Sequence, residues 1–124
     1  MNNLYVGTSI IETDRIKKSL KNPKFLSRLF SPQELKFLMG KSFSPNIIAE
    51  CFCAKLAFGK AMGYNFRGCH LNEISVLKDY MDTPYISLSG RAKLAFAAKG
   101  CNMTLSVSHC RSYANATVVF FNKN

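Results

Sequence analysis

Ala49-Glu50-Cys51-Phe52-Cys53-Ala54-Lys55-Leu56-Ala57-Phe58-Gly59-Lys60-Ala61-Met62-Gly63 is the stretch on which the fold turns. It is apolar, carries two lysines five residues apart, and reads as a helix on which Phe52, Leu56, Lys60 and Gly63 share one face. Lys60 has no acid within four residues, so an anionic ligand is the natural partner for its charge.

Working outward, Ser44-Pro45 starts this helix, which is expected over 45–62 with Gly63 as its C-cap. Upstream, Ser31-Pro32-Gln33-Glu34 is a capping box with proline in the first turn, predicting a helix over 33–39 that Gly40 ends. Leu4 to Ile11 is a β-rich run with Gly7 in its middle, where another backbone can approach closely. Thr13 is placed to cap a helix with Ile16 and Leu20 on one side and basic residues on the other. Asn22-Pro23 ends that helix and opens a short one with Phe25, Leu26 and Leu29 as its buried side.

Downstream, 64–72 reads as a loop containing Asn65, Gly68, His70 and Asn72, with His70 at the surface. The segments 74–78 and 84–88 alternate as a hairpin. A helix from Gly90 to Lys99 follows, with Leu94, Phe96 and Ala97 inward and Gly100 closing it. In 103–109 the odd positions form one face, and His109 ends its apolar side. A second β-forming run covers 114–121. Helices in the first half and hairpins in the second predict an α+β fold: a mainly antiparallel sheet packed with a long central helix, as one domain over 1–124.

The composition fits that size: 124 residues, 48% hydrophobic and 19% charged, make one globular domain with one core. No apolar run reaches the roughly 18 to 20 residues that span a bilayer. Met1-Asn2-Asn3-Leu4 lacks the features of a signal peptide, so a cytoplasmic protein away from membranes is expected. Cys51, Cys53, Cys69, Cys101 and Cys110 show no secreted framework and read as free thiols. Cys51-x-Cys53 has no second pair at zinc spacing. Cys110 directly follows His109, so on a strand the two point to opposite faces and make a poor thiol–imidazole dyad.

The net charge of +10 asks for an acidic partner. Eight of the seventeen basic residues (Arg15, Lys17, Lys18, Lys21, Lys24, Arg28, Lys36 and Lys41) fall in the first 41 residues, opposed by Glu12, Asp14 and Glu34. That region is either a solvated face or a docking surface for an acidic macromolecule. Nucleic acid is the remote alternative and rests on charge alone, because the chain has no helix-turn-helix pattern, aromatic RNA-binding motif or Arg-rich run.

Three segments in order, G-T-S-I-I-E-T-D-R-I, F-C-A-K-L-A-F-G-K-A-M-G and L-S-V-S-H-C-R-S-Y-A-N-A-T-V-V, resemble the holo-acyl-carrier-protein synthases, the short 4′-phosphopantetheinyl transferases. N-P-K-F-L-S-R-L-F-S-P-Q-E-L and P-Y-I-S-L-S-G-R-A agree as well, so the likeness covers nearly the whole chain. The resemblance implies transfer of the phosphopantetheine arm of coenzyme A to a serine of an acyl carrier protein, releasing 3′,5′-ADP. It also implies a homotrimer with sites between subunits and a magnesium ion on the pyrophosphate. By the same resemblance Lys60 is the phosphate-facing lysine, and His109 contacts coenzyme A phosphates or aligns the acceptor serine. Lys55 is a secondary cofactor-binding position, and Arg15 with Lys18, Lys21 and Arg28 forms the docking region for the acidic carrier.

Ser9 and Leu56 stand where the family carries its two magnesium-ligating acids. Serine offers a hard cation a weak neutral oxygen and leucine offers none, so neither is expected to ligate. Glu12, which matches a glutamate just beyond the first motif, is the nearest substitute. Glu50 is a weaker one, six residues from Leu56 and on the opposite side of the helix. Cys51 replaces an arginine, and Asp82-Thr83-Pro84 stands for Gly-Lys-Pro. The rival to an active transferase is therefore a catalytically silent homologue that binds coenzyme A, a carrier protein, or both.

Overall fold

A computed structural model describes residues 3–63 and 67–123; Tyr64 and Asn65 of the expected loop lie outside the described residues. Strand β1 (Leu4–Glu12) leads into helices α1 (Thr13–Ser19), α2 (Phe25–Leu29), α3 (Pro32–Gly40) and α4 (Pro45–Met62). A hairpin of β2 (Ile74–Lys78) and β3 (Pro84–Leu88) precedes α5 (Gly90–Lys99), β4 (Cys101–His109) and β5 (Tyr113–Asn122). The strands form an antiparallel three-stranded sheet in the order β1-β5-β4 and the separate antiparallel pair β2-β3. This is the expected α+β architecture.

Helix α4 crosses the inner face of the larger sheet. Its buried residues include Ile48, Ala49, Cys53, Ala54, Ala57, Phe58, Ala61 and Met62, which explains why the stretch reads as apolar almost all round. Phe58, Phe96 and Phe120 join α4, α5 and β5 in a ring cluster with centroids 4.9 to 6.2 Å apart. Gly7 lets strand and helix meet: a Cβ there would lie 1.9 Å from the Ala57 carbonyl oxygen and 2.7 Å from the Ala61 nitrogen. Gly63 caps α4 at φ 61°, a conformation that suits glycine.

The capping box forms as expected. Ser31 Oγ accepts from the Glu34 N–H at 3.1 Å, and Glu34 Oε1 accepts from the Ser31 N–H at 2.9 Å. Three local expectations are corrected. Thr13 is the first residue of α1, with Glu12 at the N-cap, and its buried Oγ1 makes no capping bond. Asn22 does not cap α2; its Oδ1 accepts the Lys24 N–H in a tight turn, and α2 starts at Phe25. On α5 the inward line is Ala92, Ala95 and Phe96, while Leu94 is 73% exposed and Ala97 also faces out. Leu94 is two residues from Ala92, about 200° around the helix, so packing Ala92 turns Leu94 outward.

Candidate active site

Lys60 is exposed at the C-terminal end of α4, beside β1, the edge strand of the sheet. Its Nζ donates to the Thr8 carbonyl at 2.9 Å. Thr8, Ser9, Ile10, Lys60, Asn115 and Thr117 line an open groove of about 700 Å³. An ammonium group at the wall of a solvent-open groove can turn to an anionic ligand at little cost, because the hydrogen bond it gives up is an exposed one.

Ser9 lies on the inner side of β1, only 7% exposed, close enough to Cys53 of α4 to moderate the upward push that burial gives the Cys53 pKa. Leu56 is half-buried on α4. Glu12 is three residues from Ser9, so strand alternation puts it on the outer, exposed face. It therefore does not stand in for an acid at position 9. Among the described residues no group of three or more His, Cys, Asp or Glu side chains is arranged to hold a metal ion.

Lys55 is not at this groove. It is completely buried, its Nζ donating to Glu34 Oε1 at 2.5 Å, to the Leu71 carbonyl at 2.9 Å and to the Ile74 carbonyl at 2.5 Å. All three of its hydrogens are spent inside the core, so the cofactor-binding role is corrected to a structural one. Burial lowers the Lys55 pKa and raises that of Glu34, each opposed by the partner's charge.

His109 ends β4 on the inner side, as alternation required, and its ring is 35% exposed. Its Nδ1 lies 2.6 Å from Glu50 Oε2 of α4. In sequence Glu50 reads only as a weak substitute metal ligand; its pairing with His109 spans 59 residues and has no local signal. Glu50 and Lys60 are ten residues apart on α4, about 15 Å of helix rise, so one chain does not bring His109 and Lys60 together.

The basic docking candidates lie elsewhere on the surface. Arg15, Lys18, Lys21 and Arg28 are all exposed, on α1, on α2 and in the turn between them. Ile11, Arg15, Lys18 and Ser19 line an open groove there.

A long helix crossing an antiparallel sheet, with a groove that Lys60 lines at one edge strand, defines an α+β domain, and the 4′-phosphopantetheinyl transferase superfamily matches it over residues 5–117. The chain is 37% identical over 115 residues to the holo-[acyl-carrier-protein] synthase of Clostridium botulinum (strain Eklund 17B / Type B), covering 92% of this chain and 94% of that one. Among solved structures it is similar to the Helicobacter pylori holo-[acyl-carrier-protein] synthase in complex with coenzyme A, with 30% identity, TM-score 0.77, and 93% and 98% of the two chains covered. The Neisseria meningitidis synthase is 28% identical at TM-score 0.84, covering 94% of this chain and 96% of that one. The chain belongs to the holo-acyl-carrier-protein synthase family. No helix among the described residues is long and apolar enough to cross a membrane.

Proposed function

We propose that this protein transfers the 4′-phosphopantetheine group of coenzyme A to a serine hydroxyl of an acyl carrier protein, releasing 3′,5′-ADP. The observation that carries this reading is the match to named synthases along nearly the whole chain, including one solved with coenzyme A. Transfer needs cationic groups where charge develops on the phosphoryl oxygens, and Lys60, free to turn within its groove, supplies one. Arg15, Lys18, Lys21 and Arg28 attract the acidic carrier.

The active unit is a homotrimer with sites between subunits. Two observations support this. The outer side of the sheet leaves Leu4, Val6 and Ile10 more than half exposed, with Phe121 at 39%, a face that a second copy would cover. Ten residues of α4 also separate Lys60 from the partner of His109, too far in one chain for both to act on one phosphoryl group, whereas a neighbour's histidine can complete the groove.

The donor set at Ser9 and Leu56 does not fit a magnesium ion held by the protein. Ser9 offers a hard cation only a neutral hydroxyl oxygen that is 7% exposed, and Leu56 has no donor atom. A magnesium ion would then be held by the coenzyme A pyrophosphate and water, with the protein itself supplying the cation Lys60 and the base.

Incubation with coenzyme A, magnesium and an apo carrier protein, followed by mass spectrometry of the carrier, tests the reading. The phosphopantetheine mass should appear on the carrier. An unmodified carrier, with coenzyme A still bound in a calorimetric titration, would establish the silent homologue instead.

A further inference from the structure

We propose that Glu50 is the positioning residue of His109, holding the imidazole so that its bare Nε2 takes the proton of the acceptor serine. This rests on the transferase reading above and on its homotrimer, in which the His109 of one copy reaches the Lys60 groove of the next.

The geometry is that of a carboxylate orienting a histidine. Glu50 Oε2 lies 2.6 Å from His109 Nδ1, the carboxylate side chain is 9% exposed and the ring 35%. A carboxylate oxygen at this distance accepts the Nδ1 hydrogen of the imidazole, the tautomer that leaves Nε2 as the acceptor. Glu50 also borders a small pocket lined by Phe37, Ile47, Val76 and Val107 together with Lys78; the apolar side chains limit water at the carboxylate and so strengthen its bond to the ring. At 35% exposure the His109 side chain is within reach of an incoming hydroxyl.

The pair fills a specific gap. With serine and leucine at positions 9 and 56, the groove has no acid at either place to accept a proton. In the step assigned here, the serine Oγ forms its bond to the phosphorus bearing the pantetheine arm while its proton passes to His109 Nε2. The bond from that phosphorus to the bridging oxygen breaks, and the oxygen leaves with the electron pair as part of 3′,5′-ADP. Glu50 remains ionised and stabilises the imidazolium, which afterwards gives its proton to solvent.

The test uses the full chain with coenzyme A and an apo carrier protein. Glu50→Gln, which keeps shape and drops charge, should lower kcat about tenfold or more while leaving KM for coenzyme A nearly unchanged. Glu50→Asp should recover part of the loss, and Glu50→Gln added to His109→Ala should cost nothing further. An independent readout is the ¹⁵N spectrum of the imidazoles at pH 8; the chain has two histidines, and His70→Asn identifies which signal is which. His109 should carry its proton on Nδ1, and Glu50→Ala should shift it toward Nε2.

A kcat for Glu50→Gln equal to wild type overturns the proposal, as does a raised KM at unchanged kcat or an Nε2-protonated His109 in the wild-type protein. An active wild type indifferent to Glu50→Gln removes only the role of Glu50. A wild type that never modifies the carrier removes the transferase reading, and this inference with it.

Discussion

Lys55 Nζ lies 2.5 Å from Glu34 Oε1, and both side chains are completely buried. Glu34 also accepts the Ser31 and Val76 N–H groups, so this one carboxylate ties the start of α3 to α4 and β2. Removing one member of such a pair leaves a buried charge without compensation. Lys55→Met should therefore lower the unfolding free energy by about 3–5 kcal/mol in urea titrations. Lys55→Met with Glu34→Leu should cost clearly less than the sum of the two single changes, because neither charge then remains.

Gly7→Ala should also be damaging, by a different route. The added methyl would meet backbone atoms of Ala57 and Ala61, which cannot rotate away as a side chain can. Either β1 or α4 must shift, at a cost of about 1–3 kcal/mol or more. Gly40→Ala is the control, since a Cβ there has nothing within 4 Å. Thermal unfolding should show a large drop in Tm for the first and almost none for the second.

The contrast between these sites shows what could be read in advance. The helix over 45–62, the Ser31 capping box, the 74–78 and 84–88 hairpin and the close approach at Gly7 are written in caps, periods and residue types a few positions apart. Partners are not local. Nothing near Lys55 announces that Glu34 neutralises it, and nothing near Glu50 announces His109. On α5 the sequence offers apolar residues on several sides, so only packing against Phe58 and Phe120 selects Phe96 over Leu94. Thr13 has a good capping side chain, but β1 runs straight into α1 and buries it.

The five thiols should separate sharply in reactivity. Burial pushes Cys51 up to about 12, and Cys53 is raised for the same reason. Cys110 is exposed, and the backbone N–H groups of Ser112 and Tyr113 lower its pKa by stabilising the thiolate. At pH 8 only a trace of Cys51 is ionised, whereas Cys110 carries more thiolate than an ordinary cysteine. Iodoacetamide under native conditions should label Cys110 first and leave Cys51 unlabelled until the protein is unfolded, as peptide mapping would record.

Arg15 and Lys18 are three residues apart on α1 and line one groove, so they present their charges together. Arg15→Glu with Lys18→Glu should raise KM for the acidic carrier about tenfold or more, with kcat and KM for coenzyme A little changed. The difference from wild type should shrink as salt is raised toward 1 M, where the Debye length falls to about 3 Å. A fall in kcat at saturating carrier would instead place these residues in the chemistry.

Restoring acids at positions 9 and 56 asks whether the groove can still be made into a metal site. Ser9 and Leu56 lie on β1 and α4, which pack together through Gly7, and Lys60 is one helical turn beyond Leu56. Ser9→Asp with Leu56→Glu would place two hard oxygen donors at the positions where the family holds magnesium. Lys60 would then face acids as well as phosphate, and the added metal would offset their charge. The double variant should gain magnesium-dependent transfer of about 10²-fold over wild type, lost on adding EDTA, while each single variant gains little. It should also become less sensitive to Glu50→Gln, because a metal-bound base would share the work of His109. An unchanged magnesium response with the fold intact by circular dichroism would show that the close packing around Ser9, which is only 7% exposed, has closed the site.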